Sequence, residues 1–266
     1  MCALYGVTRA GFYAWRCRGL SARAKRDRIL TRRIGAIFES SHGTYGSPRI
    51  HEVLTRQGER LSTRRVERLM RTAGLRARLA RVYRSNPRLH YFYEQYPNHV
   101  RRRRARGRNQ IWVGDVTYLS VGGHWRYLAV VMDQYSRRVL GWSLAPKRGG
   151  FLTRAAFNTA IRRRNPRRGL IFHSDRGSEY ATYEFGDRLR ARGVRQSMTR
   201  GGAPCDNAHM ESFFHSLKAD VIHGVRFTTD EELRRCIKTY VQYYNNDRLH
   251  SSLGYLSPVA YERRVA

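Results

Sequence analysis

The hydrophobic positions in the first part of the chain recur at helical spacing. Thr8 precedes the helical stretch "RAGFYAWR", and the apolar side chains between Leu30 and Phe38 fall on one side of a second helix. A third helix follows Pro48 and ends at Gly58. We therefore predict an all-α region at the start of the chain.

The next helix has Ser62 as its N-cap, with Val66, Leu69 and Met70 facing inward. Its outward positions are Arg64, Arg65, Arg68 and Arg71, and we predict that the first three bind DNA. A short turn between two helices, with arginine along the second, is typical of a helix-turn-helix that contacts DNA. A solvated helical hairpin would show the same pattern, so the pattern alone does not decide between them.

The pattern changes to strands after residue 109. The runs "QIWVGDVTYLSV", "HWRYLAVVMDQYS" and "RRVLGWSLAP" are rich in β-branched and aromatic residues. A pair of glycines, Gly122 and Gly123, and a turn near Ser136 separate them. This order predicts an antiparallel meander of three strands.

Helices and strands alternate beyond the meander. A helix from Phe151 to Arg163 precedes the strand "GLIFHSD", and a helix from about Tyr180 to Arg192 precedes the strand "VRQSM". Two more helices follow, one over "CDNAHMESFFHSLK" and on to Val221, the other from about Thr229 to Asn245. We predict an α/β fold with a mixed five-stranded sheet and helices on both faces, preceded by the all-α region.

Residues 83–108 separate these two regions. They contain Pro87, Pro97 and the run "RRRRARGR", which is typical of a basic linker. The predicted organisation is a helical DNA-binding region at 1–82, a linker at 83–108 and an α/β core at 109–266. The linker residues expected to bind DNA phosphates are Arg101, Arg102, Arg103 and Arg104.

The charge balance favours nucleic acid as the partner. The chain has 52 Lys and Arg against 20 Asp and Glu, which leaves a formal net charge of +32. Such a field attracts a polyanion. A genome that favours Arg over Lys would explain the choice of basic residue, but it would not explain the scarcity of acids.

The cysteines argue against two classes of small domain. Cys2, Cys17, Cys205 and Cys236 are scattered and form no CxxC pair. This pattern excludes a zinc knuckle and a disulfide framework and favours a reducing cytosol. The sequence shows neither a membrane-spanning apolar run nor a signal peptide, so we expect a cytoplasmic protein without a membrane partner.

Three acidic residues lie in apolar surroundings. Asp115 is in the middle of the first strand, on the same alternating face as Val113 and Thr117. Asp175 ends the fourth strand, and Glu211 lies at the border of the apolar stripe of its helix. If strands one and four are neighbours and this helix packs across them, the three carboxylates meet.

Each of these acids also has a structural interpretation. Asp115 could pair with a buried arginine, and Asp175 could cap the turn that follows it. Glu211 could pair with His215 one helical turn later. The other acids that compete for the same roles are Asp133, Glu179, Glu184 and Asp187.

Converging carboxylates indicate a cation site. Such groups repel one another unless they are protonated or bound to cations, and oxygen ligands without His or Cys favour Mg²⁺ or Mn²⁺. Two such ions about 4 Å apart would serve phosphoryl transfer. The strongly basic chain would then bind DNA as the phosphodiester substrate.

The blocks "WVGDVTYL", "HSDRGSEY" and "DNAHMESFFHSLK", with the tail "YYNNDRLHSSLGYLSP", resemble those of OrfB-type insertion-sequence transposases of the DDE superfamily. Residues 176–210 separate Asp175 from Glu211, a spacing typical of that family. "YGSPRIHEVL" resembles its upstream helix-turn-helix region. The resemblance implies a ribonuclease-H-like catalytic core, similar to that of retroviral integrases, over residues 109 to 262.

The resemblance also implies residue roles. Asp115, Asp175 and Glu211 would be the metal ligands and catalytic residues. Lys218, on the same helical face as Glu211, would contact the DNA end with Asn207 as its neighbour, although Asn207 could equally cap the helix. Metal-activated water would cut at the end of the element, and the freed 3′-OH would attack another phosphodiester.

The partners implied by the resemblance are the ends of the element and a target DNA. Since two ends must be brought together, at least a homodimer is expected on the DNA. Fusion with, or dependence on, the product of an upstream reading frame is a further expectation. The expected location is the bacterial cytoplasm, in association with the nucleoid.

Two other functions fit parts of the sequence. A ribonuclease-H-like nuclease would only hydrolyse DNA or an RNA–DNA hybrid, and joined strands among the products would exclude it. A DNA-binding regulator without catalysis would have no need of the three acids together with Lys218.

Overall fold

The computed structural model describes residues 2–17, 19–77, 96–101, 103–199 and 207–265. The chain divides into two units, Met1–Ala77 and Arg78–Ala266. Residues 78–95, which include the predicted boundary at 82, lie outside the described ones; this boundary and the one at 108 stay predictions. No helix within the described ranges is both long enough and apolar enough to cross a membrane.

The described part of the first unit is helical. A short 3₁₀ turn (Ala3–Tyr5) precedes α1 (Arg9–Cys17), α2 (Ala22–Ser40), α3 (Ser47–Arg56) and α4 (Thr63–Thr72). The hydroxyls of Ser21 and Ser62 accept hydrogen bonds from the backbone at the starts of α2 and α4. Ile34, Ile50 and Val66 are fully buried where α2, α3 and α4 contact one another. The predicted all-α region is confirmed.

The second unit contains a five-stranded sheet in the order β3-β2-β1-β4-β5. Its strands are β1 (Ile111–Val121), β2 (His124–Asp133), β3 (Val139–Ala145), β4 (Ile171–Ser174) and β5 (Arg195–Met198). The first three form an antiparallel meander, whereas β4 and β5 run parallel to β1. The predicted mixed sheet is confirmed. The first and fourth strands are neighbours, which fulfils the condition under which Asp115 and Asp175 meet.

Helices cover both faces of this sheet. They are α5 (Gly150–Arg164), α6 (Tyr183–Ala191), α7 (Ala208–Leu217), α8 (Asp230–Asn246) and α9 (Pro258–Arg264), with a short 3₁₀ turn at Ser251–Leu253. Alternate residues of β1 face two separate cores. Trp112 packs with Phe157 of α5, and Val113 packs on the opposite face with Met210 and Phe213 of α7.

The start of α6 differs from its predicted position. It begins at Tyr183 rather than about Tyr180, because Thr182 caps it by accepting a hydrogen bond from the Phe185 N–H (3.3 Å). Tyr180 is instead buried in the core, in the segment between β4 and α6.

The end of α7 differs as well. The regular helix stops at Leu217 and continues as a π-helical turn, Lys218–Ile222, where we predicted one helix through Val221. Asp220 of this turn is buried and accepts hydrogen bonds from Tyr240 Oη (3.0 Å) and Arg248 Nε (3.1 Å). The wider turn thus occurs where a buried ion pair joins α7 to the carboxyl-terminal part of the chain. The predicted start of the helix at Cys205 and Asp206 lies outside the described residues.

Candidate active site

Asp115 and Asp175 lie side by side on neighbouring parallel strands. The register pairs Gly114 with Ser174, and each acid follows its member of this pair by one residue. Adjacent strands are about 4.8 Å apart, so the two side chains start from neighbouring backbone positions. They lie at the carboxyl end of β4, the edge where open α/β sheets bind ligands.

Asp115 is half-buried and has no ion-paired base among the residues that the structure describes. Its Oδ1 accepts a hydrogen bond from the Val116 N–H (2.7 Å). Burial raises the pKa of Asp115 well above its usual value, and the charges of Asp175, Glu179 and Glu211 raise it further. The buried arginine partner considered from the sequence is therefore not found in this part of the chain.

Asp175 makes one hydrogen bond within its turn and lies close to a second carboxylate. Its Oδ1 accepts a hydrogen bond from the Gly177 N–H (3.1 Å), as expected for an aspartate that caps a turn. Burial and the charge of Glu179 raise its pKa to about 6. A Cβ on Gly177 would lie 2.8 Å from the Glu179 carboxyl and 3.0 Å from Asp175 Oδ1, so only glycine lets these carboxylates lie so close.

Glu179 is a buried acid whose partner could not be read from the sequence. Arg148 binds it through two hydrogen bonds (2.9 and 3.0 Å), and these bonds raise the pKa of Arg148. The Thr153 hydroxyl donates to the Glu179 carbonyl oxygen (3.0 Å). Glu179 is therefore committed to an ion pair, whereas Asp115 and Asp175 are not. No local pattern marks Arg148 among the many arginines of the chain.

Glu211 lies on the first turn of α7 and is exposed. The buried residues Met210, Phe213 and Leu217 fix the helix against the sheet. The Glu211 charge raises the pKa of Asp115, so the two carboxyls are within electrostatic range.

The predicted convergence of three carboxylates is incomplete. Asp115 and Asp175 are adjacent, but Glu211 sits on the solvent side of its helix. Over the described ranges, no three His, Cys, Asp or Glu side chains are close enough to hold one ion together. The donor chemistry still fits a hard divalent cation, because two crowded carboxylates share one edge and neither forms an ion pair with a basic residue in the described ranges.

Asn207 holds α7 against β1. It is buried, and its Nδ2 donates to the carbonyl oxygen of Gly114 (3.2 Å), next to Asp115. Its side chain makes no capping bond, although the residue occupies the N-cap position of α7. The structure thus places Asn207 at the contact between α7 and β1, and its predicted DNA contact stays a prediction.

Lys218 follows α7 and is half-buried. Its Nζ lies 5.0 Å from the centre of the Tyr118 ring, and the Tyr118 ring packs edge-on against Trp125 (5.1 Å). Burial lowers the pKa of Lys218, and the charge of Asp115 opposes that shift. The lysine therefore lies within electrostatic range of Asp115, next to two exposed aromatic rings.

Tyr180 is a site residue that we did not predict. It is buried, and its hydroxyl has no hydrogen-bond partner among the described residues. Burial, with the charges of Asp115 and Asp175, raises its pKa well above the usual value, so the hydroxyl stays protonated. The only sequence signal was its place in "HSDRGSEY", where it reads as an ordinary core aromatic.

Two of the three arginines predicted to bind DNA through α4 take part in an ion-pair network. Arg65 binds Asp27 of α2 through Nε (2.9 Å) and Nη2 (2.7 Å), and Arg68 binds it through Nη2 (2.6 Å). These bonds lower the pKa of Asp27. Arg64 is exposed, with no ion pair in the described part of the chain. Of the predicted linker residues, Arg101, Arg103 and Arg104 are exposed, and Arg102 lies outside the described residues.

Known families match both the helical region and the α/β core. Residues 105–204 and 192–258 match models of the integrase core domain, and residues 25–83 match an HTH-like domain. The transposase InsF for insertion sequence IS3A of Escherichia coli (strain K12) is 37% identical, over 99% of this chain and 93% of its own. The transposase for insertion sequence element IS904 of Lactococcus lactis subsp. lactis (strain IL1403) is 37% identical, over 88% and 94%.

A solved structure shows the same fold. It is the cryoEM structure of a simian T-cell lymphotropic virus intasome in complex with PP2A regulatory subunit B56 gamma. The TM-score is 0.50 at 17% sequence identity, with 85% of this chain and 72% of that chain covered. This likeness agrees with the predicted ribonuclease-H-like core.

Proposed function

The chain belongs to the IS3-type insertion-sequence transposases with an integrase core, and we propose that its DNA strand cleavage and transfer take place beside Asp115 and Asp175. The observation that supports this site is the adjacency of two half-buried carboxylates with no ion-paired base among the described residues. A purely structural role would leave the cost of burying both charges uncompensated. A site that recruits cations accounts for that cost.

We assign Mg²⁺ or Mn²⁺, as a pair of ions, to this edge. Asp115 and Asp175 would provide ligands from the sheet, and Glu211 would provide a third carboxylate from α7. The chemistry that such ions would supply is activation of the attacking oxygen and stabilisation of the leaving oxygen of the phosphodiester.

The chain's own residues hold this edge in place. Asn207 ties the start of α7 to the strand that carries Asp115. Arg148 neutralises Glu179, so that the charge next to Asp175 is paired. Lys218 would bind a phosphate of the DNA end, because its ammonium group lies within electrostatic range of Asp115.

The remaining assignments concern the partners and the organisation of the chain. The substrates are the ends of the element and a target DNA, held by at least a homodimer. Residues 1–82 would bind DNA through α4, where Arg64 is exposed, and the basic linker 83–108 would add phosphate contacts. We further propose that the chain depends on an upstream reading-frame product and that it acts in the bacterial cytoplasm, in association with the nucleoid.

Strand transfer with defined DNA ends tests the assignment. The full chain is incubated with labelled duplexes that carry the ends of its insertion sequence, a plasmid target and Mg²⁺. We expect joined strands from the native chain. The variants Asp115→Asn, Asp175→Asn and Glu211→Gln should each lose the joined product and still bind DNA.

A matched control is Asp187→Asn, which alters an acid on α6 whose ion pair with Arg190 is largely exposed. It should transfer strands normally. Near-native transfer by a carboxylate variant would remove that residue from the site. Cleaved but never joined products would favour the hydrolytic nuclease instead.

A further inference from the structure

A cavity of about 940 Å³ lies at the amino ends of the parallel strands, away from the carboxylates. Its wall includes Ile111, Ile171 and Arg195, the first residues of β1, β4 and β5. Strand β4 spans only Ile171–Ser174, so the cavity and Asp175 are roughly 13 Å apart along the strand, at about 3.3 Å per residue. The cavity and the carboxylates therefore lie at opposite ends of the parallel strands.

The cavity is lined by seven arginines and by no acidic residue among those that the structure describes. Four precede β1 (Arg103, Arg104, Arg106 and Arg108), and three lie around β4 and β5 (Arg167, Arg168 and Arg195). Within the described residues, none of these side chains makes an ion pair. So many unpaired guanidinium groups repel one another, and an anionic ligand would relieve the repulsion.

The backbone around the cavity is held by hydrogen bonds between its segments. The N–H of Ile171 donates to the carbonyl oxygen of Gln110 (3.0 Å), and that of Arg195 donates to Leu170 (2.8 Å). Gly193 has a φ of +63°, and a Cβ there would lie 2.9 Å from Arg168 Cγ. The stem of Arg168 therefore packs on a glycine, which indicates a preformed surface rather than loose side chains.

We infer that this cavity binds the sugar–phosphate backbone of DNA that lies apart from the phosphodiester attacked at the carboxylates. Arginine forks match phosphate oxygens, and no aromatic ring in the described lining is available to stack on a base. The site therefore binds without reading sequence. The inference rests on the proposed function, because a transposase must hold a second DNA segment while it cuts the first.

The test replaces the three arginines that lie outside the linker. The full chain with Arg167→Gln, Arg168→Gln and Arg195→Gln is titrated against a random-sequence duplex at several salt concentrations. Three lost phosphate contacts should lower the slope of log K against log salt by about 2.7 and weaken binding on the order of 10-fold or more. Replacing the same residues with Lys should restore most of the affinity, because the charge is kept.

A matched control removes the same charge elsewhere. Arg226, Arg263 and Arg264 are exposed and have no ion pair within the described ranges. Their replacement with Gln should leave the salt slope nearly unchanged. Circular dichroism melts of both triple variants check the fold. The single variant Arg167→Glu, at an exposed position, gives a second measurement of the salt slope.

The outcomes separate this inference from the proposed active site. Equal salt slopes for the two triple variants would overturn the cavity as a DNA site. The inference would also be overturned if the native chain and the cavity variant bound DNA with the same affinity, even if inorganic phosphate bound only the native chain. Conversely, strand transfer retained by Asp115→Asn would overturn the carboxylate assignment. A reduced salt slope of the cavity variant would still support the cavity as a DNA site.

Discussion

The two ends of strand β4 differ in how their charges are held. At its carboxyl end, Asp175 and Asp115 are half-buried and accept hydrogen bonds from nearby backbone N–H groups. At its amino end, Arg167, Arg168 and Arg195 are exposed and unpaired within the described part of the chain. The first arrangement fixes a few charges in position, as chemistry requires. The second concentrates many exposed charges on one preformed surface, which suffices to bind a polyanion along its backbone.

The largest effect that distinguishes these ends is expected for Asp115→Asn. The substitution keeps the shape and removes one charge, so strand cleavage should fall on the order of 10³-fold while duplex affinity changes less than about twofold. Gel analysis of end-labelled products, together with fluorescence anisotropy, measures both quantities. Affinity that fell as steeply as cleavage would show that the carboxylate end also dominates DNA binding, and the contrast between the ends would be lost.

The next effect concerns the stability of the carboxylate end. Arg148→Met leaves Glu179 buried without its base, so the free energy of unfolding should fall by about 1–3 kcal/mol. Urea denaturation of the variant measures this change. The control Arg154→Met removes an ion pair with Glu184, whose side chain is 65% exposed, and should change stability by no more than about 0.5 kcal/mol. Equal losses in the two variants would contradict a special need for Arg148.

A smaller effect is expected from cation binding. At a Mg²⁺ concentration ten times its Kd, the native chain should gain about 1.4 kcal/mol, which raises Tm by about 2–4 °C. Thermal melts with and without Mg²⁺ check this gain, and Asp175→Asn should lose it. If the cavity variant with three Gln substitutions also lost the gain, the cation would not be specific to the carboxylate end.

The smallest effect is expected at Lys218. Lys218→Gln removes the ammonium group next to Tyr118, so affinity for the element's end should fall by about 0.5–1 kcal/mol, or roughly two- to fivefold. Competition between end-containing and random duplexes measures this difference. Lys238→Gln, which alters an exposed lysine of α8, is the control and should not change the ratio.

The sequence predicted the five strands, the meander and the mixed sheet because alternating and continuous apolar runs mark strands directly. That the strands of Asp115 and Asp175 are neighbours entered only as a condition, since the pairing of distant strands depends on the tertiary structure. The π-helical turn Lys218–Ile222 escaped prediction because one wider turn hardly alters a helical pattern. The burial of Asn207 escaped because it depends on how α7 approaches the Gly114 carbonyl.

The arginine cavity could not be predicted for a different reason. Its residues come from three separate segments, which meet only because β1, β4 and β5 start in register. In a chain with 52 basic residues, no local pattern separates these arginines from the others. Their meeting is a property of the tertiary structure.

The buried pair of Asp220 and Arg248 has a consequence for damaged copies of the gene. Arg248 also donates to the Ser216 hydroxyl (3.1 Å), so a residue that follows all three carboxylates in the chain holds the helix that carries Glu211. A premature stop codon before position 248 would leave all three carboxylates encoded but would free that helix from its anchor. A truncated copy is therefore expected to lose transposition even though an inspection of its catalytic blocks would find them complete.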